Sequence, residues 1–239
     1  MANASYVALS QGQALLKRLD LVANNVANMS TAGFRREGTV FSEYVRQLDV
    51  NGEVLSLVNT TAGFTDLSQG ALKQTGNSLD VGLEGDGWFL VASADGDRLT
   101  RDGRFSTNSA GELVTYDGLQ VLDEGGASLF IPPDAKAISI SRDGTISADG
   151  QPLGKLAVVE APPHTLTREG SLLFRAEDGV TPVEDPRILQ GFTEASNVNP
   201  VKEITQLIEV QRAYDQVVSL LESEDERIRG AITSIGRPA

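Results

Sequence analysis

The 239-residue chain has no cysteine, one histidine and one tryptophan, and aromatic residues make up only 5% of it. Without cysteine there are no disulfides, no thiolate metal sites and no cysteine nucleophile. With His164 as the sole histidine, neither the usual catalytic triads nor the common zinc sites can be built. His164 follows two prolines in "APPHTLTREG" and reads as a loop residue. No P-loop is present, and no glycine fingerprint links a strand to a helix. "LEGDGWF" is glycine-rich but leads into a strand. Paired carboxylates for glycoside hydrolysis are the remaining enzymatic alternative, yet such sites draw on aromatic platforms and Trp88 stands alone.

Basic clusters are missing too. The net charge of −13 argues against nucleic acid and against anionic membrane surfaces. No apolar run is long enough to span a bilayer. The opening "MANASYVALSQGQALLKRLD" lacks a basic stretch before an apolar one, so no cleaved secretory signal is expected. The charge is also uneven. Residues 1–37 carry +2 and residues 200–239 carry −2, which leaves −13 for the stretch between them.

What is present is a pair of heptad patterns at the two ends. Ala8, Gly12, Leu15, Leu19, Val22, Val26 and Met29 step 4-3-4-3-4-3, which predicts a helix over 5–31. If Gly33 is its left-handed C′ residue, Phe34 and Met29 meet in the apolar contact of a Schellman motif. At the other end Ile204, Leu207, Gln211, Tyr214, Val218, Leu221, Asp225, Ile228, Ile232 and Ile235 step 3-4 throughout. Asn199 before Pro200 supplies the N-cap and first-turn signal of that second helix. Gln211 and Asp225 are read as polar seam positions that fix register.

Between the helices the period changes. From 81 to 187, short β-like runs alternate with seven Asp-Gly pairs, a strong hairpin signal. These pairs lack the spacing of calcium loops. Turn geometry accounts for them, and no metal or cofactor is expected. The fold class is therefore α+β. Terminal helices pair as a coiled-coil stem, joined by an extended connector to a central antiparallel all-β domain, barrel- or sandwich-like. The expected division is a stem helix at 1–37, a connector at 38–80, a β domain at 81–187, and a return strand with the second stem helix at 188–239.

A single seam on each helix makes a thin stem, and its outer face is low in charge. With Leu19 and Val26 at heptad position a, Asn24, Asn25 and Asn28 fall at f, g and c, flanking the seam. Neutral amides there can bond a neighbouring chain without burying charge. Such a stem is expected to polymerise through contacts that do not close into a ring and to order on docking. The expected assembly surface comprises Leu15, Leu19, Val22, Asn24, Asn25, Val26, Asn28, Met29, Gly33 and Phe34. From the second half of the chain it takes Asn197, Asn199, Ile204, Leu207, Gln211, Tyr214, Val218 and Leu221.

"RLDLVANNVANMSTAGFRRE" resembles the N-terminal signature of the flagellar rod, hook and hook-associated axial proteins, and "QGFTEASNVNPVKEITQLIEVQRAYD" resembles their C-terminal signature. "FTDLSQGALKQTGNSLDVGLEGDGWFLV" and "LTRDGRFSTNSAGELVTYDGLQVL" look like the connector and β core of the rod and hook members. Ile204 stands where methionine is expected. The compact β region favours rod over hook, and the opening segment looks most like a proximal rod subunit, ahead of a distal one. The resemblance implies a non-enzymatic subunit, exported by the flagellar type III apparatus without a cleaved signal. It implies a hollow rod across the periplasm, shared with other copies and other rod proteins. Outside the family, the alternative is a soluble β-domain binding module on a coiled-coil stalk.

Overall fold

The computed structural model describes residues 2–47 and 54–235; within these, side chains are described for 7–40 and 63–230. The fold is α+β: an N-terminal helix, antiparallel sheets in the middle, and a C-terminal helix. The chain divides into two units. One combines the residues up to Ala27 with Glu37–Asp66 and everything from Asn199 onward; the other is Asn28–Arg36 with Leu67–Val198.

The first unit holds helix α1 (Ala2–Ala27), the long antiparallel hairpin of Glu37–Gln47 with Val54–Thr65, and helix α2 (Pro200–Ile235). At 1.5 Å per residue the helices run roughly 39 and 54 Å. α1 packs on α2 and on the hairpin. α2 starts as its sequence predicts. Asn199 Oδ1 accepts the Lys202 N–H at 3.1 Å, three residues into the turn, with Pro200 opening the helix. Glu203 N–H then closes the first turn on the Asn199 carbonyl.

The end of α1 differs from expectation. The helix stops at Ala27, and Gly33 lies six residues beyond it. Gly33 has the anticipated left-handed φ of 71°, but its N–H donates to the Glu194 carbonyl at 2.8 Å, not back into the helix. Phe34 is fully buried while Met29 is 37% exposed, so the Schellman contact is not made. The left-handed turn serves a tertiary junction: a Cβ on Gly33 would fall 2.4 Å from the Asp102 nitrogen.

The second unit is built from short strands. Its main sheet runs, edge to edge, Leu166–Glu169, Leu173–Ala176, Gly96–Thr100, Trp88–Ser93, Gln120–Val121, Leu113–Thr115 and Phe105–Thr107, with Val158–Glu160 and Thr181–Pro182 branching from it. Ile138–Ile140, Thr145–Ala148 and Gln151–Lys155 form a separate three-stranded sheet. Two small pairs complete the unit: Val81–Glu84 with Arg187–Gln190, and Leu72–Gln74 with Phe192–Glu194. Among the described residues these strands do not close into a barrel. Closure needs strands of matched tilt and stagger around a full circuit, and strands of two to six residues spread their pairing over several open sheets instead.

Alternation along Trp88–Ser93 divides the interior. Phe89 and Val91 enter a large core with Val81, Leu113, Ile146, Leu156 and Ile188. Trp88 enters a smaller one with Leu99, Val159 and Phe174. Asp149-Gly150 turns as the sequence suggests, whereas Asp102-Gly103 is irregular, with Asp102 buried and paired with Arg104. Asp149 and Gly150 have φ values of 50° and 84° and form the two-residue loop between Ala148 and Gln151, the primed geometry that matches strand twist.

Candidate functional site

The assembly surface expected from the heptads falls in both units. On α1, Val22 is buried and Leu15, Leu19 and Val26 are half-buried. On α2, Leu207, Tyr214, Val218 and Leu221 are half-buried, whereas Ile204 is 44% exposed and Gln211 and Asp225 are exposed. The side chains of Ile232 and Ile235 lie outside the described ones. The deepest positions of α2 are instead Glu203, Val210 and Val217, at 0%, 2% and 7% exposure. The spacing of seven is as anticipated, but the seam is rotated by one residue. Gln211 and Asp225 therefore face solvent in this chain and do not set its register.

A polar pair explains the rotation. Asn25, read from sequence as flanking the seam, is 1% exposed. Its Nδ2 donates to Glu203 Oε2 at 3.2 Å and to the Glu37 carbonyl at 2.8 Å, while its Oδ1 accepts the Glu37 N–H at 2.9 Å. One amide thus pairs with the Glu37 backbone as a neighbouring strand would and also holds a carboxylate buried in α2. A carboxylate this deep requires such a partner. The three asparagines of the opening motif consequently part ways: Asn25 is buried, Asn24 is exposed, and Asn28 is half-buried beyond the helix, its Oδ1 accepting from Thr31 Oγ1 at 3.2 Å.

The rotation leaves apolar side chains outside. Val201, Ile204 and Ile208 follow one stripe at i, i+3 and i+7, with exposures of 76%, 44% and 46%. On α1, Leu9 and Leu16 are also exposed, one heptad apart.

In the other unit, Gly33, Phe34 and Asn197 belong to a buried ionic cluster that the sequence did not announce. Glu194, 1% exposed, receives Arg35 Nη1 on Oε1, the Gly70 N–H on Oε1 at 2.7 Å and Arg101 Nη1 on Oε2 at 3.1 Å. Arg35 is fully buried and Arg101 is 4% exposed. Both guanidinium groups lie over the Trp88 ring, at 5.8 and 5.5 Å from its centroid, where the ring face favours a cation. Burial first, and the neighbouring Arg35 charge as well, push the Arg101 pKa down to about 10 against the opposing pull of Glu194. Arg101 therefore stays protonated at neutral pH. Arg168 donates to the Arg35 carbonyl and stacks on Phe34 and Phe174, at 5.0 and 4.8 Å. Asn197 ties the two chain connections together: its N–H donates to the Phe34 carbonyl, its Oδ1 accepts the Arg36 N–H at 2.7 Å, and its Nδ2 donates to the Ser68 carbonyl at 2.9 Å. Arg35 and Glu194 are 159 positions apart, so no local pattern links them. The only local hint is the adjacent pair Arg35 and Arg36 after a long uncharged run from Leu21 to Phe34.

No helix of the described residues is long and apolar enough to cross a membrane. The heptad-bearing ends and the β region each match a known family. Residues 6–35 match the flagella basal body rod protein family, residues 82–148 the D1 domain of the flagellar hook protein FlgE/F/G, and residues 189–233 the C-terminal part of flagellar basal body rod FlgEFG proteins. The flagellar basal-body rod protein FlgF of Caulobacter vibrioides is 38% identical over 99% of both chains, and that of Mesorhizobium japonicum is 37% identical over the same shares. The flagellar basal-body rod protein FlgG of Bacillus subtilis is 31% identical over 95% of this chain and 96% of its own. With helical ends and β region matched in order and along the full length, this chain belongs to the flagellar basal-body rod protein family.

Proposed function

We propose that the chain is a non-enzymatic structural subunit of the flagellar basal-body rod, polymerising into a hollow shaft that transmits torque for motility. Similarity to the FlgF relatives at 37–38% favours the proximal part of the rod. In this reading the helices of the expected stem segments 1–37 and 188–239, α1 and α2, pair as a coiled coil and pack around the central channel. The connector at 38–80 braces them, and the β domain at 81–187 adds lateral contacts and stiffness. The subunit crosses to the periplasm through the flagellar export apparatus without a cleaved signal. Its partners are its own copies and the other rod proteins; it binds no nucleic acid and inserts in no membrane. Leu15, Leu19, Val22 and Val26 with Leu207, Tyr214, Val218 and Leu221 carry stem packing, and Asn24, Asn28 and Asn199 bond neighbouring stems.

One observation carries this reading. Val201, Ile204, Ile208, Leu9 and Leu16 stay exposed on α1 and α2, and apolar side chains aligned along a helix are normally covered. Neighbouring stems would cover them. The double variant Ile204→Asp/Ile208→Asp tests this without disturbing the subunit, because both positions are exposed within the chain. The variant is expected to be secreted at the normal level and to leave cells without rods and non-motile. Rods of normal length and normal swimming in that strain would overturn the reading.

A further inference from the structure

We infer that Glu194, Arg35 and Arg101 are positioning residues for assembly: they fold the connections to both stem helices into the β unit of the free subunit, before any neighbour is present. This deepens the proposed function, on which it rests for the word assembly.

The argument starts from where the chain buries its signature residues. The N-terminal signature splits at Ala27, and Asn28–Arg36 is a compact part of the β unit. Phe34 and Arg35 have no exposure at all in the single chain. Their partners are supplied by Glu194, Arg168, Trp88 and Asn197 of the same unit. The Glu194 carboxylate is paired on both oxygens within the single chain, while Arg35 Nε and Nη2 and Arg101 Nε are buried without a hydrogen-bond partner among the described residues.

The outgoing connection is fixed by the same groups. Glu194 ends the strand Phe192–Glu194, its carbonyl takes Gly33 and its carboxylate takes Arg35. Asn197, three residues on, bonds Phe34 and Arg36. The end of one connection and the start of the other are thereby stapled in register by two side chains, one anionic and one neutral. The carboxylate also accepts from Gly70 and Arg101, so one group gathers four chain segments.

The stem is different. Its helices expose Leu9 and Leu16 on α1 and Val201, Ile204 and Ile208 on α2, and helical stability in proteins comes mostly from packing of the apolar face. The connections are thus ordered first and the shafts later. Two helices launched from adjacent, fixed points meet at a high effective concentration, which makes their pairing intramolecular.

Amide hydrogen exchange on the full-length free chain in dilute solution, followed by mass spectrometry, tests this. In the wild type, Asn28–Arg36 and Glu194–Val198 are expected to be protected as strongly as Phe89 and Leu113, while α1 and the second half of α2 exchange fast. Exchange of Asn28–Arg36 as fast as that of the shafts would overturn the inference. In Glu194→Gln, which keeps shape but unpairs two buried cations, those connections are expected to lose protection by about a hundredfold while the strand cores keep theirs. Arg35→Lys, which keeps the charge, is expected to recover most of it, whereas Arg35→Met is not. Equal protection in all four chains would overturn the assignment to these residues. The exchange pattern is read on free subunits. It therefore stands or falls separately from the rod-forming test on Ile204 and Ile208.

Discussion

Asn25 and Gly33 show how much single positions decide. Asn25 satisfies both backbone groups of Glu37 and the buried carboxylate of Glu203, so its effect reaches across three elements of its unit. Asn25→Ala removes three hydrogen bonds and is expected to cost the unit about 1–3 kcal/mol. Asn25→Asp is expected to cost more, because it sets a second carboxylate against Glu203. Rods purified from the two strains should dissociate at lower denaturant than wild type, Asn25→Asp lowest. Gly33→Ala strikes the other unit: the new Cβ meets backbone at 2.4 Å with φ at 71°. Strain of both kinds is expected to destabilise the β unit by about 2 kcal/mol or more, seen as a lower melting temperature of its strand signal.

Among the elements, α2 separates what spacing can tell from what it cannot. The 3-4 repeat identifies a long helix with one buried edge, and Asn199-Pro200 marks its start; both were legible. The azimuth was not. Anchoring the repeat on Ile204 rather than Glu203, because a glutamate is assumed to be outside, carries Gln211 onto the seam by spacing and leaves Val210 off it. Asn25 on α1, which helps make Glu203 a core residue, is 178 positions away. The ionic cluster around Glu194 escaped for the same reason. Charges far apart in sequence carry no periodic signature, whereas the Asp-Gly turns, being local, were visible. The barrel-like closure failed because strand count and turn spacing do not specify how short strands share their edges. The rotated seam can be checked directly. Val217→Asp places a charge at a position 7% exposed and is expected to abolish stem helicity in the assembled state. Gln211→Leu, on the exposed side, is expected to leave the subunit's own fold unchanged. The reverse ranking, judged by circular dichroism and rod yield, would restore the seam read from spacing.

For the whole molecule, the two units divide the physical work. The β unit holds large apolar cores and a Glu194 carboxylate whose two oxygens are both paired within one chain. The stem unit leaves aliphatic side chains in water, which the proposed function assigns to neighbours. That contrast, together with full-length similarity to rod proteins, supports a subunit that is stable in its β unit and becomes rigid only in the shaft. The most direct test is imaging of purified basal bodies at a resolution that resolves side chains. The account predicts that Val201, Ile204 and Ile208 of each copy lie buried against a neighbouring subunit's stem. The same three side chains open to solvent in the finished rod would contradict it.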